Sequence, residues 1–130
     1  MPGLTDEQKE FMRQPHYAVA TTLRKDGSPH ASVVWMDVDD DGTPTFNTAM
    51  HRAKAKHIQR HPHAGLTIID PTFYKWLAID GPAELSTDDA DAQIDRLAQK
   101  YDGTEYKGRT PDMVRVKVRI QPEHVTAYGF

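Results

Sequence analysis

The sequence predicts a mainly β protein: a small antiparallel barrel of six or seven strands with three short helices inserted. Three observations point there. Val114, Val116, Val118 and Ile120 alternate with Arg115, Lys117 and Arg119, the two-residue period of a strand buried on one face. Asp26-Gly27 stands between two strand-like runs, where a tight hairpin turn needs a residue free to adopt positive φ. Helical spacing of apolar residues is confined to short stretches, so the helices decorate a sheet instead of forming the core.

The elements follow in order. Thr5 and Gln8 have capping-box spacing, and Phe11 and Met12 supply an apolar edge, which predicts a short helix that stops before Pro15. Tyr17 to Leu23 reads as a strand, Lys25 to Ser28 as its turn, and Pro29 to about Val38 as one return strand. The acidic turn Asp39-Asp40-Asp41-Gly42 leads to a third strand around Thr45 to Thr48, completing an antiparallel meander. After a basic helix, His63 to Ile69 forms a fourth strand and Asp70-Pro71-Thr72 a turn. Tyr74 to Leu85 is a longer strand, in which Gly81-Pro82 marks a bulge or an edge position. Thr87-Asp88-Asp89 opens a helix whose buried stripe is Ala90, Ile94, Leu97, Ala98 and Tyr101, ending before Gly103. Met113 to Ile120 and about His124 to Tyr128 are the last strands, the first of them with its charged residues facing water.

Composition limits the functional classes. A chain of 130 residues is expected to form one domain, residues 1–130, small enough that a second subunit helps complete an active site. Sixteen Lys+Arg against 19 Asp+Glu give a net charge of -3, so there is no global attraction to nucleic acid. The chain has no cysteine, which excludes a disulfide framework and thiolate chemistry and suits a reducing cytoplasm. No apolar run reaches the roughly 20 residues that span a bilayer, and the acidic N-terminal stretch is unlike a secretory signal. These features predict a cytoplasmic protein with neither membrane nor nucleic-acid partner.

The segment from Phe46 to Pro62, FNTAMHRAKAKHIQRHP, carries the most functional information. It runs a strand into a short helix and sets Arg52, Lys54 and Lys56 at the helix start, where unpaired amides and the macrodipole already favour an anion. Asn47 and Thr48 are placed to hydrogen-bond an oxyanion or to cap the helix. Spacing alone is equally consistent with a solvated surface helix that keeps the protein soluble.

Three stretches, ATTLRKDGSPHASVVW (Ala20 to Trp35), FNTAMHRAKAKHIQRHP and WLAIDGPAEL (Trp76 to Leu85), resemble in order and spacing the pyridoxamine 5′-phosphate oxidase-like split-barrel flavoproteins. The likeness is greater to the branch that uses the deazaflavin coenzyme F420. It covers nearly the whole chain and implies a split β-barrel of the FMN-binding type. Lys54, Ile58 and His61-Pro62 match the frame in which a family lysine binds the cofactor phosphate, and Arg52 matches the arginine of the deazaflavin branch's Arg-x-Lys pair. Ser32 stands where the oxidases carry a second-strand arginine, a departure that favours coenzyme F420 over FMN. The resemblance implies an oxidoreductase: a homodimer, with its cofactor groove between subunits, that transfers hydride from reduced coenzyme F420 to a small or medium organic acceptor. Its rivals are an FMN-dependent oxidase or flavin reductase, and a non-catalytic carrier of flavin, deazaflavin or haem.

The expected cofactor-binding residues are therefore Asn47, Thr48, Arg52, Lys54, Lys56 and Trp76, with Trp76 on the cofactor side and Trp35 in the core. Of Tyr74 and Lys75, just before Trp76, alternation puts only one on the neighbouring face, from which it is placed to reach the pocket of its own subunit or of a partner. The seven histidines show no recognisable metal-ligand spacing, so no metal is expected, and Asp39 to Asp41 lack the pattern of a calcium loop. Residues for a nucleophile, an acid–base dyad or a phosphate loop are not evident. Redox chemistry borne by a cofactor explains that pattern, since the protein then supplies position and a dry pocket.

Overall fold

The computed structural model describes residues 3–130; the first two residues of the acidic N-terminal stretch lie outside that range. Helix α1 (Asp6–Arg13) begins with the expected capping box: Gln8 N donates to Thr5 Oγ1 at 3.1 Å and Thr5 N to Gln8 Oε1 at 3.0 Å. These two bonds satisfy amides that a helix start leaves orphaned. Phe11 and Met12 are its buried face.

Strand β1 (Tyr17–Leu23) pairs with β2 (Pro29–Val34) across a turn in which Gly27 has φ 87° and Asp26 accepts from the amide and hydroxyl of Ser28. The return strand predicted through Val38 is in fact two. It breaks at Trp35 and resumes as β3 (Met36–Val38), which pairs with β4 (Pro44–Ala49) instead of β1. Val34, Met36 and Val38 are all buried, so the bend lets one alternating face follow the curve of the barrel. The two-residue period runs across it unbroken, which is why the pattern conceals it. Among the described residues the strands therefore number eight, not six or seven.

The sheet order is β2-β1-β5-β6-β7-β4-β3, with all pairs antiparallel. Here β5 is His63–Ile69, β6 Trp76–Ser86 and β7 Arg115–Ile120; β8 (His124–Tyr128) also pairs with β6. Strand β6 is the hinge of the curl. Trp76 to Asp80 pair with β8 and Ala83 to Ser86 with β7, while β5 pairs with the other side from Trp76 to Pro82. Gly81 sits at the changeover, where a Cβ atom would overlap the Gln121 carbonyl oxygen and lie 3.0 Å from Glu123 N. Gly81-Pro82 is thus neither bulge nor edge, as the sequence suggested, but the point where the β7–β8 connection crosses a central strand. Phe46, Met36, Leu66, Ile68, Leu77 and Ile120 are among the fully buried side chains of the core. No helix of the described residues is long and apolar enough to cross a membrane.

Helix α2 (Ala53–Arg60) bridges β4 and β5, and Ile58 anchors it in the core. Helix α3 (Ala90–Asp102) starts after Asp89, at φ 63°, and ends at Gly103, at φ 72°. It buries Ile94, Leu97 and Ala98 as its spacing predicts, and Gln93 with them. It also corrects the reading of β7. Packed on that strand, α3 covers the face assigned to water, so Arg115 and Lys117 are only 7% exposed. Lys117 Nζ lies 2.9 Å from both Asp39 and Asp89, and Arg119 pairs with Asp39 and Asp41.

This network is expected to make stability fall in acid. Hydrogen bonds from Arg119 hold the Asp41 carboxyl at about 2, and those from Arg96 hold Asp89 far below its usual range. Both folded values lie below the unfolded one, so their contribution is complete above pH ~4 and fades as pH falls toward 2. The Tm of the parent is expected to drop through that window, and that of Asp89→Asn to drop less steeply. Parallel melting curves for the two would remove Asp89 from the acid response.

Candidate functional site

The end of β2, strand β4, the start of α2 and the flank of α3 enclose a cleft of about 260 Å³. Trp35, Thr48, Arg52, Lys54, Tyr106 and Arg115 are among the residues that line it. A larger hollow, about 820 Å³, opens beside Asp37, Asp39, Asp89, Arg96 and Lys117. Its charges are already engaged with one another, so the smaller cleft has the greater capacity for a ligand.

Lys54 is 9% exposed, and its Nζ donates to Ser32 Oγ at 3.0 Å. Burial lowers its pKa first, and the Arg52 and Arg115 charges lower it further. Arg52 occupies the N-cap position of α2 and makes no side-chain capping bond; a guanidinium has no acceptor with which to cap. The first-turn amides of α2 therefore keep their attraction for an anion.

Arg115 enters from β7. Its Nε donates to Asn47 Oδ1 at 2.8 Å, Nη1 lies 3.4 Å from the Tyr106 hydroxyl, and the guanidinium rests 5.4 Å from the Tyr106 ring centroid. Burial lowers its pKa also. Thr48 is 1% exposed, with no hydrogen-bond partner for Oγ1. Among the described residues no carboxylate pairs with Arg52, Lys54 or Arg115. Lys54 and Arg115 are buried cations without a counter-ion, beside the exposed Arg52; that burial is costly, and an arriving oxyanion relieves the cost. Three cations and an unpartnered buried hydroxyl fit a phosphate.

Trp35 is not a core residue, as the sequence suggested. It is half-buried on the cleft and stacks on Tyr101 at 5.5 Å and 5°, while the Tyr101 hydroxyl donates to His16 O at 2.9 Å. The bend between β2 and β3 turns the ring out of the barrel. An indole on a fixed platform supplies flat apolar wall beside the cationic end of the cleft.

Four of the expected residues thus meet here: Asn47, Thr48, Arg52 and Lys54. Asn47 and Thr48 do not cap α2, because β4 continues through Ala49 and a turn precedes the helix. Asn47 is turned toward α3 instead, its Nδ2 donating to Ala90 O and Gln93 Oε1 at 2.9 Å each. Lys56 is exposed and outside the lining of the cleft. Within one chain Trp76 also stands apart, stacked on Tyr128 at 6.1 Å. Tyr74 is 77% exposed, and Lys75 pairs with Glu7 at 3.4 Å and covers the Phe130 ring. Arg115 and Tyr106 were missed. Arg115 looked like one of the water-facing charges of an alternating strand, and only the docking of α3 sets it in the cleft.

Comparison with known proteins places this geometry. The family model described as pyridoxamine 5′-phosphate oxidase matches residues 4–129. The chain is 32% identical, over 134 aligned positions, to the F420H(2)-dependent biliverdin reductase of Mycobacterium tuberculosis (strain CDC 1551 / Oshkosh), spanning 94% of this chain and 86% of that protein. Among solved structures, an F420 reductase superposes with a TM-score of 0.81 at 24% identity, covering 95% of this chain and 98% of its own. A pyridoxamine 5′-phosphate oxidase-related, FMN-binding protein of Nostoc punctiforme gives 0.63 at 19% identity, covering 86% and 73%. These two establish a shared split-barrel fold. With a family match that spans almost every residue, the chain belongs to the pyridoxamine 5′-phosphate oxidase family.

Proposed function

We propose that the protein is an oxidoreductase that transfers a hydride from reduced coenzyme F420 to a small or medium organic acceptor. The observation that carries this reading is the uncompensated trio Arg52, Lys54 and Arg115, lining one cleft with Thr48, whose Oγ1 has no partner, in a chain 32% identical to an F420H(2)-dependent reductase. Bound there, the deazaflavin supplies the hydride chemistry. The chain's own residues hold and orient it. Lys54, steadied by Ser32, and Arg52 grip the phosphate, Thr48 donates its free hydroxyl, and Trp35 walls the adjoining apolar space.

Ser32 bears on the choice of cofactor. It holds the Lys54 ammonium with a neutral hydroxyl, at the position where the resemblance puts the arginine of the FMN-binding oxidases. Coenzyme F420 is therefore expected to bind more tightly than FMN in an equilibrium fluorescence titration. Equal or reversed affinities would make FMN the cofactor.

The cleft is open, and Val33 beside it is 73% exposed, which supports a homodimer in which a second copy closes the groove. In such a dimer the proposed cofactor-side role of Trp76 falls to the partner's cleft, since within its own chain the ring stands apart, stacked on Tyr128. Light scattering should give the mass of a dimer at micromolar concentration, and a monomer with cofactor bound would exclude the shared site.

The activity is tested by stopped-flow oxidation of the bound reduced cofactor against quinone, enone and tetrapyrrole acceptors. Acceleration over free cofactor is expected for at least one class. No acceleration anywhere would leave a non-catalytic carrier.

A further inference from the structure

The third cation of the cleft is held more rigidly than phosphate binding by an Arg-x-Lys pair requires. Arg115 Nε is tied to Asn47 Oδ1 at 2.8 Å, and Asn47 Nδ2 is tied to Gln93 Oε1 and Ala90 O at 2.9 Å. Gln93 Nε2 donates in turn to Thr45 Oγ1 at 2.9 Å. Every polar atom of the Asn47 side chain is thereby engaged inside the protein, so Asn47 is a positioning residue and not a ligand contact. The chain Thr45–Gln93–Asn47–Arg115 is buried along its length, each member at most 7% exposed, and the Gln93 and Asn47 amides that link it have both their oxygen and their nitrogen engaged, so the network holds Arg115 Nε in one geometry.

What it fixes is a guanidinium with one edge on Asn47 and Tyr106 and its Nη2 without a protein partner among the described residues. Charge matching says what that edge awaits. Arg52 and Lys54 together suffice for a singly charged phosphodiester, and Arg115, a further cation that is itself buried, is left uncompensated against the same ligand unless the anionic end carries more charge. We propose that Arg115, aimed by Asn47, selects ligands whose anionic end carries two or more negative charges, whether on one phosphate monoester or on a phosphate and a neighbouring carboxylate.

This rests on the reading of the cleft as an anion site, and the experiment separates the two. Riboflavin, the methyl phosphate ester of FMN, and FMN present an uncharged, a singly charged and an almost doubly charged end on one chromophore. Each is titrated into the parent protein, Arg115→Gln, Arg115→Lys and Asn47→Ala, with Tm recorded for every variant. In the parent each added charge should raise affinity about tenfold, the scale of a charge-assisted hydrogen bond. In Arg115→Gln the step from ester to FMN should shrink to less than about threefold, while the step from riboflavin to ester persists on Arg52 and Lys54. Arg115→Lys, which keeps the charge but loses the fork, should be intermediate, and Asn47→Ala should reduce the last step without any ligand contact of its own. A merely structural role would lower Tm and weaken all three ligands alike. A last step that is absent in the parent, or unchanged in both Arg115 variants, overturns the selection by Arg115 while the anion site stands. A first step that is absent in the parent overturns the anion site itself.

Discussion

Gly81→Ala is expected to destabilise the protein by at least ~3 kcal/mol, the upper part of the range for overpacking, and to lower Tm by roughly 10 °C. The added methyl would occupy the space of the Gln121 carbonyl oxygen and press on Glu123 N. Both are backbone atoms of the connection between β7 and β8, held by Gln121 N donating to Pro82 O at 2.8 Å and Glu123 N to Asp80 O at 2.9 Å. Neither can retreat without breaking one of these bonds. Gly65→Ala is the control, since its new Cβ would meet Asp80 Cβ and Ile79 O at an ordinary 3.5 Å. Its effect should stay within about 1 kcal/mol. If thermal denaturation shows both variants melting with the parent, the strands do not cross at Gly81.

Loss of the Lys54 charge should weaken cofactor binding by about 1.5 to 3 kcal/mol, the scale of a hydrogen bond to a charged group. Stability should respond differently. The Lys54 ammonium is buried beside Arg52 and Arg115, and each of these influences depresses its pKa, so the folded state bears a cost for its charge. Lys54→Met, which keeps much of the aliphatic length, is expected to leave Tm unchanged or to raise it. Lys54→Ala loses packing as well and should lower Tm slightly while binding equally poorly. Equilibrium titration and thermal denaturation of both variants separate the two effects. Undiminished affinity in variants that melt like the parent would make Lys54 a packing residue of α2.

Local chemistry was legible in the sequence wherever a residue's role depends on its neighbours along the chain. The Thr5 and Gln8 capping box, the Asp26-Gly27 turn, the end of α3 at Gly103 and the run of cations at α2 each follow from interactions within a few residues. Arg52 and Lys54 could be singled out because they share a helix start, whose physics is local.

Three-dimensional packing decided what depends on distant elements. Strand β3 separates from β2 because the sheet must curl, although one apolar alternation runs through both. Trp35 leaves the core for the cleft at that bend, and Gly81 matters only because another segment passes over it. Arg115 shows the limit best. Alternation assigns its face correctly, opposite Val116 and Val118, but a pattern of period two cannot say whether water or a helix lies on that side. Helix α3 does, from the preceding element, and so turns an apparently solvated arginine into a buried cation held by Asn47. Periodicity specifies which residues share a surface; what covers the surface is a long-range contact, and the order of residues along the chain carries no direct signal of it.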